Sequence, residues 1–191
     1  LQIVDAHGER VWVRALGEPG RDGNGNIVRV EGAFQDVTRQ REREAALRQL
    51  SQIVEQSPSS IVVTDLSARI EYVNPAFEAI TGYRRDEAVG ATPALLKSGL
   101  TPDATYRDLW ETIIAGEVWY GEIQNRRKDG SLYWDYSVIS PLTDERGRSA
   151  RYVAIKEDIT ERKQTENELA RAHAELEARV EARTAELAAA N

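Results

Sequence analysis

The sequence contains no cysteine and no methionine, and only two of its 191 residues are histidine. Without cysteine the chain has no disulfide bond, no zinc–thiolate site and no reactive thiol. No run of about eighteen apolar residues occurs, so the sequence predicts no transmembrane helix. The chain also opens inside an alternating apolar pattern. We therefore expect it to be a fragment of a longer protein.

Positive charge is scarcer than negative charge: 25 Lys and Arg residues stand against 32 Asp and Glu residues, for a formal net charge of -7. This balance argues against a large nucleic-acid footprint and against a basic helix that lies on a membrane surface. The carboxylates are spread through predicted helices and turns, with no Gly-rich phosphate loop and no Ser-His-Asp set. We therefore expect no catalytic activity within this chain.

The first segment of the chain is repeated downstream at a spacing of 122 residues. This offset superimposes residues 1–40 on residues 123–162 without a gap, and both copies end in Asp-(Val/Ile)-Thr before a charged helical segment. The matched pairs include Gly8 with Gly130, Trp12 with Trp134, and Gly25 with Gly147. We interpret residues 1–37 as the C-terminal strands of a preceding copy of the same domain. A chance resemblance between two hairpins is the alternative.

Hydrophobic periodicity divides the rest of the chain into three parts. Residues 38–57 are predicted to form a linker helix that stops at Ser57-Pro58, because the residue before a proline avoids helical geometry. Residues 58–160 are predicted to form one complete domain: two strands, short helices, a long helix and three more strands. Residues 161–191 are predicted to form a coiled-coil helix, with a narrow apolar stripe at Leu169, His173, Leu176, Val180 and Leu187.

Local signals fix several element ends. Asn74 followed by Pro75 is typical of a helix start, with the asparagine as the N-cap. Thr101-Pro102-Asp103 predicts the start of the long helix, with Thr101 as its cap. In the first segment, residues 19–25 are rich in glycine and are predicted to form a loop between two strands.

Several separate motifs occur in one order, and together they resemble a PAS sensor domain over about residues 47–163. The motifs are Tyr72-Val-Asn-Pro-Ala-Phe77, Ile80-Thr-Gly-Tyr83, Asn125-Arg-Arg-Lys-Asp-Gly130, Tyr133-Trp134 and Asp158-Ile-Thr-Glu-Arg162. The resemblance implies an α+β fold: a five-stranded antiparallel sheet with helices on one face and a ligand pocket between them. It also implies signalling through the helices that enter and leave the domain.

Within this family the chain is most similar to flavin-containing redox and oxygen sensors of the nitrogen-fixation-regulator and aerotaxis-receptor types. Trp110 and Asn125 match residues that contact FAD in those sensors, so the resemblance implies a flavin site that includes them. Packing of the long helix is the structural alternative for Trp110. For Asn125 the alternative is that its amide forms hydrogen bonds with the backbone of a buried loop.

The chain departs from light-oxygen-voltage domains, in which an Asn-Cys-Arg motif supplies a photoreactive cysteine. Here that place reads Thr92-Pro93-Ala94, so no cysteinyl–flavin adduct can form. Asp135 replaces a second asparagine of those domains, and Lys156 replaces a glutamine. By this correspondence Thr92 and Asp135 join the expected cofactor-binding residues.

We therefore expect the sensory part of a cytoplasmic signalling protein, with a histidine kinase or a diguanylate cyclase as its output domain. FAD is the expected cofactor, and Asp158, Ile159 and Thr160 are the expected signal relay, although capping of the exit helix alone would explain them. A homodimer through the N- and C-terminal helices is expected, with no nucleic acid and no membrane contact within the chain. The alternatives are a ligand-free dimerisation and relay module, and a sensor for a small metabolite.

Overall fold

The structure, a computed structural model, describes residues 1–4 and 7–189, with side chains described to residue 184 in the last helix. Leu187 of the predicted apolar stripe therefore has its side chain outside the described part. The chain divides into two compact units, Leu1–Ile53 and Val54–Asn191, each with its own sheet.

The first unit is a three-stranded antiparallel sheet followed by a helix. Its elements are β1 (Gln2–Val4), β2 (Arg10–Arg21), β3 (Ile27–Asp36) and α1 (Thr38–Glu55), with strand order β1-β2-β3. The predicted loop over residues 19–25 is wrong at its start, because β2 continues to Arg21 and Pro19 pairs with Val30. Among the described residues this part of β2 has β3 as its only neighbour. A proline without an N–H is tolerated on such an edge.

The second unit carries a five-stranded antiparallel sheet, as predicted, and its strand order is β5-β4-β8-β7-β6. Its elements are β4 (Ser60–Thr64), β5 (Ile70–Val73), α2 (Pro75–Thr81), α3 (Arg85–Ala88), a 3-10 helix (Pro93–Leu96), α4 (Asp103–Ile114), β6 (Trp119–Arg126), β7 (Leu132–Thr143), β8 (Ser149–Asp158) and α5 (Thr160–Ala189). The α+β fold class is confirmed.

Two apolar clusters hold the helices of this unit against the sheet. One cluster joins β4 and β5 to the short helices through Val62, Ile70, Val73, Phe77, Ala88 and Leu96. The other joins α4 to the opposite half of the sheet through Leu109, Ile113, Trp119, Ile123 and Tyr152. Burial of side chains this large contributes about 1.5–3 kcal/mol each, so the clusters fix the helices over one face.

Asn74 is the N-cap of α2, as predicted, and it does more than cap the helix. Its Oδ1 accepts from the Phe77 amide at 3.2 Å and from the Ile61 amide at 2.8 Å. Its Nδ2 donates to the backbone oxygens of Ser59 and Val54. The side chain is fully buried, so all four hydrogen bonds are shielded from water. This residue ties Val54, the first residue of the second unit, to the first strand of the same unit.

Thr101 does not cap the long helix, so that prediction is wrong. Its hydroxyl donates to the Gln124 carbonyl at 3.2 Å and accepts from the Gln124 amide at 2.9 Å. The residue before α4 is Pro102, which offers no side-chain cap. The threonine instead satisfies backbone groups of the edge strand β6, where no further strand pairs among the described residues.

The 122-residue repeat is present in the strand ladders as well as in the sequence. Val13 pairs with Asp36 as Asp135 pairs with Asp158, and both ladders shift register just before their hairpin loop. The two hairpin loops are closed alike, because Asp22 and Asp144 each accept two backbone amides of their own loop. The repeat is therefore also a repeat of structure in the described strands and hairpin loops.

Candidate functional site

A cavity of about 350 Å³ lies between α4, the 3-10 helix and the inner face of the second sheet. This volume falls within the ~300–1,000 Å³ that ligand pockets commonly have. Its walls are mostly apolar and include Val62, Leu109, Ile113, Ile123, Ile139 and Ala154. An apolar cavity with a few fixed polar groups is the usual form of a small-molecule site.

The polar side of the cavity is a hydrogen-bonded set on three adjacent strands. Asn125 Nδ2 donates to Asp135 Oδ2 at 2.6 Å, and Lys156 Nζ reaches the same oxygen at 3.1 Å. Ser137 Oγ donates to the other oxygen of Asp135 at 2.6 Å. We call these four residues the polar floor. All four are buried.

Burial makes the polar floor costly unless its charges are paired. The carboxylate of Asp135 is 1% exposed, and the ammonium of Lys156 is its ionic partner at 10% side-chain exposure. Moving such groups out of water costs several kcal/mol per ion, and removal of one partner leaves the other uncompensated. Each member of the polar floor is therefore held in place by the others.

Two of the expected cofactor residues, Asn125 and Thr92, line the cavity directly. With its Nδ2 donating to Asp135, Asn125 has its amide oxygen left to accept from a ligand. Asp135 is not among the described lining residues, and its oxygens bind Asn125, Lys156 and Ser137. Direct contact between Asp135 and a cofactor stays a prediction.

Trp110 also lines the cavity and is 38% exposed, whereas its neighbours Leu109 and Ile113 form the core of α4. Its ring meets Tyr152 edge to face, with centroids 6.1 Å apart and an interplanar angle of 83°. A large indole that is neither buried nor fully solvated has much of its surface available for a ligand. Core packing alone does not account for this exposure.

The structure adds Tyr106 and Lys156 to the site, and sequence reasoning had missed both roles. Tyr106 is on the predicted apolar face of α4, yet its hydroxyl is buried with no hydrogen-bond partner among the described residues. Burial raises the pKa of Tyr106, and nearby Thr101 opposes that shift, so the hydroxyl stays neutral and able to donate. In the sequence Lys156 stands out only as a departure from a family pattern. A lysine at an inward-facing position of a predicted strand is the sequence feature that could have indicated a role in the site.

The expected relay residues form a junction between β7, β8 and α5. Thr160 Oγ1 accepts from the Trp134 amide at 2.9 Å and donates to Asp158 Oδ1 at 2.5 Å, while the Ile159 amide donates to the Trp134 carbonyl at 2.9 Å. Ile159 is 3% exposed. Asp158 also pairs with Arg127 at 2.8 Å. The first turn of α5 is therefore bonded to the middle strands of the sheet.

Ionisation of Asp158 is favoured at this junction. Burial alone would raise the pKa of its carboxyl, but hydrogen bonds from Arg127 and Thr160 outweigh burial and hold the pKa below the ordinary value of 3.8. The carboxylate is thus charged at neutral pH and able to anchor both the helix start and the β6–β7 turn.

The first unit contains the same junction at the start of α1. The Trp12 amide donates to Thr38 Oγ1 at 2.8 Å, Asp36 Oδ1 accepts from the Thr38 amide at 2.8 Å, and the Val37 amide donates to the Trp12 carbonyl at 2.8 Å. A cation lies over the tryptophan in each copy, Arg41 over Trp12 and Lys163 over Trp134. The junction is therefore a repeated way of joining a sheet to a helix.

Two other features were sought in the described part of the chain. No group of three or more potential metal ligands comes together among the side chains described there, which extend to residue 184. No helix there is both long enough and apolar enough to cross a membrane.

A cavity between an antiparallel sheet and the helices packed on it, with long helices before and after the domain, defines an α+β module with a candidate small-molecule site. A family model described as "PAS domain" matches residues 58–161, more than half of the chain. The chain belongs to the PAS domain family, which confirms the resemblance inferred from its motifs.

Two relatives and one solved structure show the range of proteins to which this chain is similar. It is 37% identical over 108 residues to a nitrogen fixation regulatory protein of Klebsiella oxytoca, covering 56% of this chain and 22% of that protein. It is 33% identical over 98 residues to the aerotaxis receptor of Escherichia coli K12, covering 51% of this chain and 19% of that protein. The LOV domain of the blue-light activated histidine kinase of Erythrobacter litoralis matches with a TM-score of 0.52 and 30% identity, covering 55% of this chain and 99% of that one.

The match to the relatives is a match to one part of larger proteins, because it covers about a fifth of their length. It identifies a PAS sensory domain similar to those of signalling proteins. The solved structure places a light-oxygen-voltage domain among the structural neighbours of this chain.

Proposed function

We propose that this chain is the sensory and relay part of a bacterial signalling protein, and that its cavity binds FAD as a redox or oxygen sensor. The observation that carries the proposal is the cavity itself: apolar walls, the polar floor, and the half-exposed indole of Trp110. The similarity to an aerotaxis receptor and a nitrogen fixation regulatory protein supports the same class of stimulus.

The residues around the cavity fit the chemistry of a flavin. When bound, FAD supplies reversible uptake and release of electrons. The indole of Trp110 can pack against a planar ring system and donate its N–H. Asn125 Oδ1 can accept from a ligand N–H, while Lys156 Nζ and the Tyr106 hydroxyl can donate to ligand oxygens or nitrogens. The buried Tyr106 hydroxyl has no protein partner among the described residues, so a ligand would satisfy it.

Signal transfer in this proposal uses the junction of Asp158, Ile159 and Thr160. A change in the polar floor acts on Asp135, which pairs across the sheet with Asp158. Thr160 and Ile159 are bonded to Trp134, the residue next to Asp135 in β7. A shift of β7 against β8 therefore moves the first turn of α5.

The helix that leaves the domain is suited to carry this shift to a second chain. In α5 the apolar residues Leu169, Leu176 and Val180 are 58–70% exposed. A polar helix with such a stripe is marginally stable alone and is stabilised by a partner helix. We propose a parallel homodimer through α1 and α5, with an output domain such as a histidine kinase or diguanylate cyclase in the parent protein. The proposed location is the cytoplasm.

The test is an absorption spectrum of the purified chain, before and after reconstitution with FAD and gel filtration. We expect retained flavin absorbance at about one FAD per chain. Trp110→Ala and Asn125→Ala should each reduce the retained flavin about tenfold or more, while Tyr120→Ala, at a 60% exposed position of β6 outside the cavity, should not. A chain that stays colourless after reconstitution would overturn the FAD proposal.

A second function, a ligand-free dimerisation and relay module, is favoured by one observation. The junction of the first unit, built from Trp12, Asp36 and Thr38, has the same hydrogen bonds although Val13 and Phe34 stand where the second unit has Asp135 and Lys156. The colourless outcome of the spectrum would favour that function. An unexplained mass in native mass spectrometry would instead favour a small-metabolite sensor.

A further inference from the structure

The structural repeat provides an internal control for the polar floor. The residues of the first unit that stand 122 positions before Asn125, Asp135 and Lys156 are Ile3, Val13 and Phe34. They occupy the same rungs of the strand ladder: Ile3 pairs with Val11 as Asn125 pairs with Tyr133, and Ala15 pairs with Phe34 as Ser137 pairs with Lys156.

These strands therefore form their ladder without an amide, a carboxylate or an ammonium at the three positions. In the second unit the same positions hold a buried ion pair, which costs desolvation energy and is often no more stable than apolar residues of similar size. The strand pairing does not require the charges. By contrast, both copies retain the aspartate that closes the hairpin loop and the Asp–Thr hydrogen bond at the start of the following helix.

We infer that Lys156 and Asp135 determine which ligand the cavity accepts: Lys156 donates to an electron-rich edge of the ligand, and Asp135 holds and balances Lys156. This inference rests on the proposed function, because it names how that same cavity selects its ligand. Lys156 lines the cavity, and an ammonium has three donors. Among the described residues Asp135 takes one of them, at 3.1 Å.

The pair also sets the electrostatic response of the cavity to an added electron. Lys156 stabilises negative charge on a ligand and Asp135 opposes it, and in a buried site these effects are weakly screened. Because the two charges are 3.1 Å apart, they largely cancel. Changing one of them therefore exposes the other, with opposite consequences for a ligand that gains electrons.

The experiment measures FAD retention and midpoint potential for the whole chain carrying Lys156→Gln, Asp135→Asn, or both. Lys156→Gln should lower the midpoint potential and weaken FAD binding about tenfold, the loss expected for one charge-assisted hydrogen bond. Asp135→Asn should raise the potential, and the double variant should return toward wild type. Flavin binding with a potential that none of the three variants changes would overturn the inference and leave the FAD proposal standing.

A second arm does not depend on FAD. The triple variant Asn125→Ile, Asp135→Val and Lys156→Phe places the residues of the first unit in the second. If the floor exists for ligand recognition, the ligand-free triple variant should unfold at a temperature equal to or above that of the ligand-free wild type. A clearly lower unfolding temperature would show that the floor is needed for folding and would overturn the inference. This arm can overturn the inference even if wild type proves to bind no flavin.

Discussion

The hydroxyl of Thr160 is the part of the relay junction that a single substitution isolates best. Thr160→Ala removes the hydrogen bond that Thr160 Oγ1 accepts from the Trp134 amide at 2.9 Å and the one it donates to Asp158 at 2.5 Å. The backbone bond from the Thr160 amide to Asp158 is independent of the side chain. The variant therefore loosens α5 from β7 while the bond from the Thr160 amide to Asp158 remains.

The expected cost follows from these contacts. Each lost hydrogen bond contributes about 0.5–1.5 kcal/mol, and a part-buried Trp134 amide left without an acceptor costs about 1–3 kcal/mol. The better helix propensity of alanine offsets roughly 0.5 kcal/mol. We expect a loss of about 2 kcal/mol in the free energy of unfolding of the second unit. For a unit of this size that is a fall of roughly 8 °C in Tm.

The assay is thermal and urea unfolding followed by circular dichroism, with hydrogen exchange read at the Trp134 amide. Thr160→Ser keeps the hydroxyl and should lie within about 0.5 kcal/mol of wild type. Thr165→Ala is the matched control, because Thr165 is an exposed threonine of the same helix whose hydroxyl donates only to the Glu161 carbonyl among the described residues. If Thr160→Ala is no less stable than Thr165→Ala, the junction is not bonded as argued.

Three further predictions concern other parts of the second unit. Asn74→Ala should lower the free energy of unfolding by at least about 3 kcal/mol in urea titrations, because four buried hydrogen bonds depend on that amide. The pKa of Asp158 in the folded chain lies below 3.8. The contribution of its carboxylate to the free energy of unfolding is therefore complete above pH 3.8 and is lost as the pH falls through the folded-state pKa. In Asp158→Asn the free energy of unfolding should depend less on pH in that range, as measured by urea titrations at several pH values. In sedimentation experiments Leu176→Glu should shift the chain from dimer to monomer, and Ala174→Glu, off the apolar stripe, should not.

Local sequence signals predicted much of this fold because the deciding interactions are close in sequence. Asn74 before Pro75 identified a helix start from two neighbouring residues. The repeat led us to interpret residues 1–37 as strands of a preceding copy of the domain, and the ladders of the two hairpins share their registers. Thr101 was assigned wrongly because a threonine before Pro-Asp is equally able to bond a backbone 23 residues away, and only the tertiary fold decides between the two.

The polar floor was less predictable, for a physical reason. A lysine in a strand is normally exposed, and Lys156 is buried because of a carboxylate 21 residues earlier in the chain. Asp135 in turn depends on Asn125 and Ser137. Such a network has no sequence period, so the residue types alone do not show which members meet. Trp110 and Asn125 were expected at the site only through the family resemblance.

Hydrogen exchange at the junction tests most directly whether the cavity is coupled to the exit helix. The chain would be compared free of FAD, loaded with FAD, and loaded then chemically reduced. We expect reduction to change the exchange of the Trp134 and Ile159 amides, which bond across the junction. Amides of α2, held by Asn74, should stay unchanged. Identical exchange at the junction in the oxidised and reduced states, with flavin bound in both, would show that the cavity is not coupled to the exit helix.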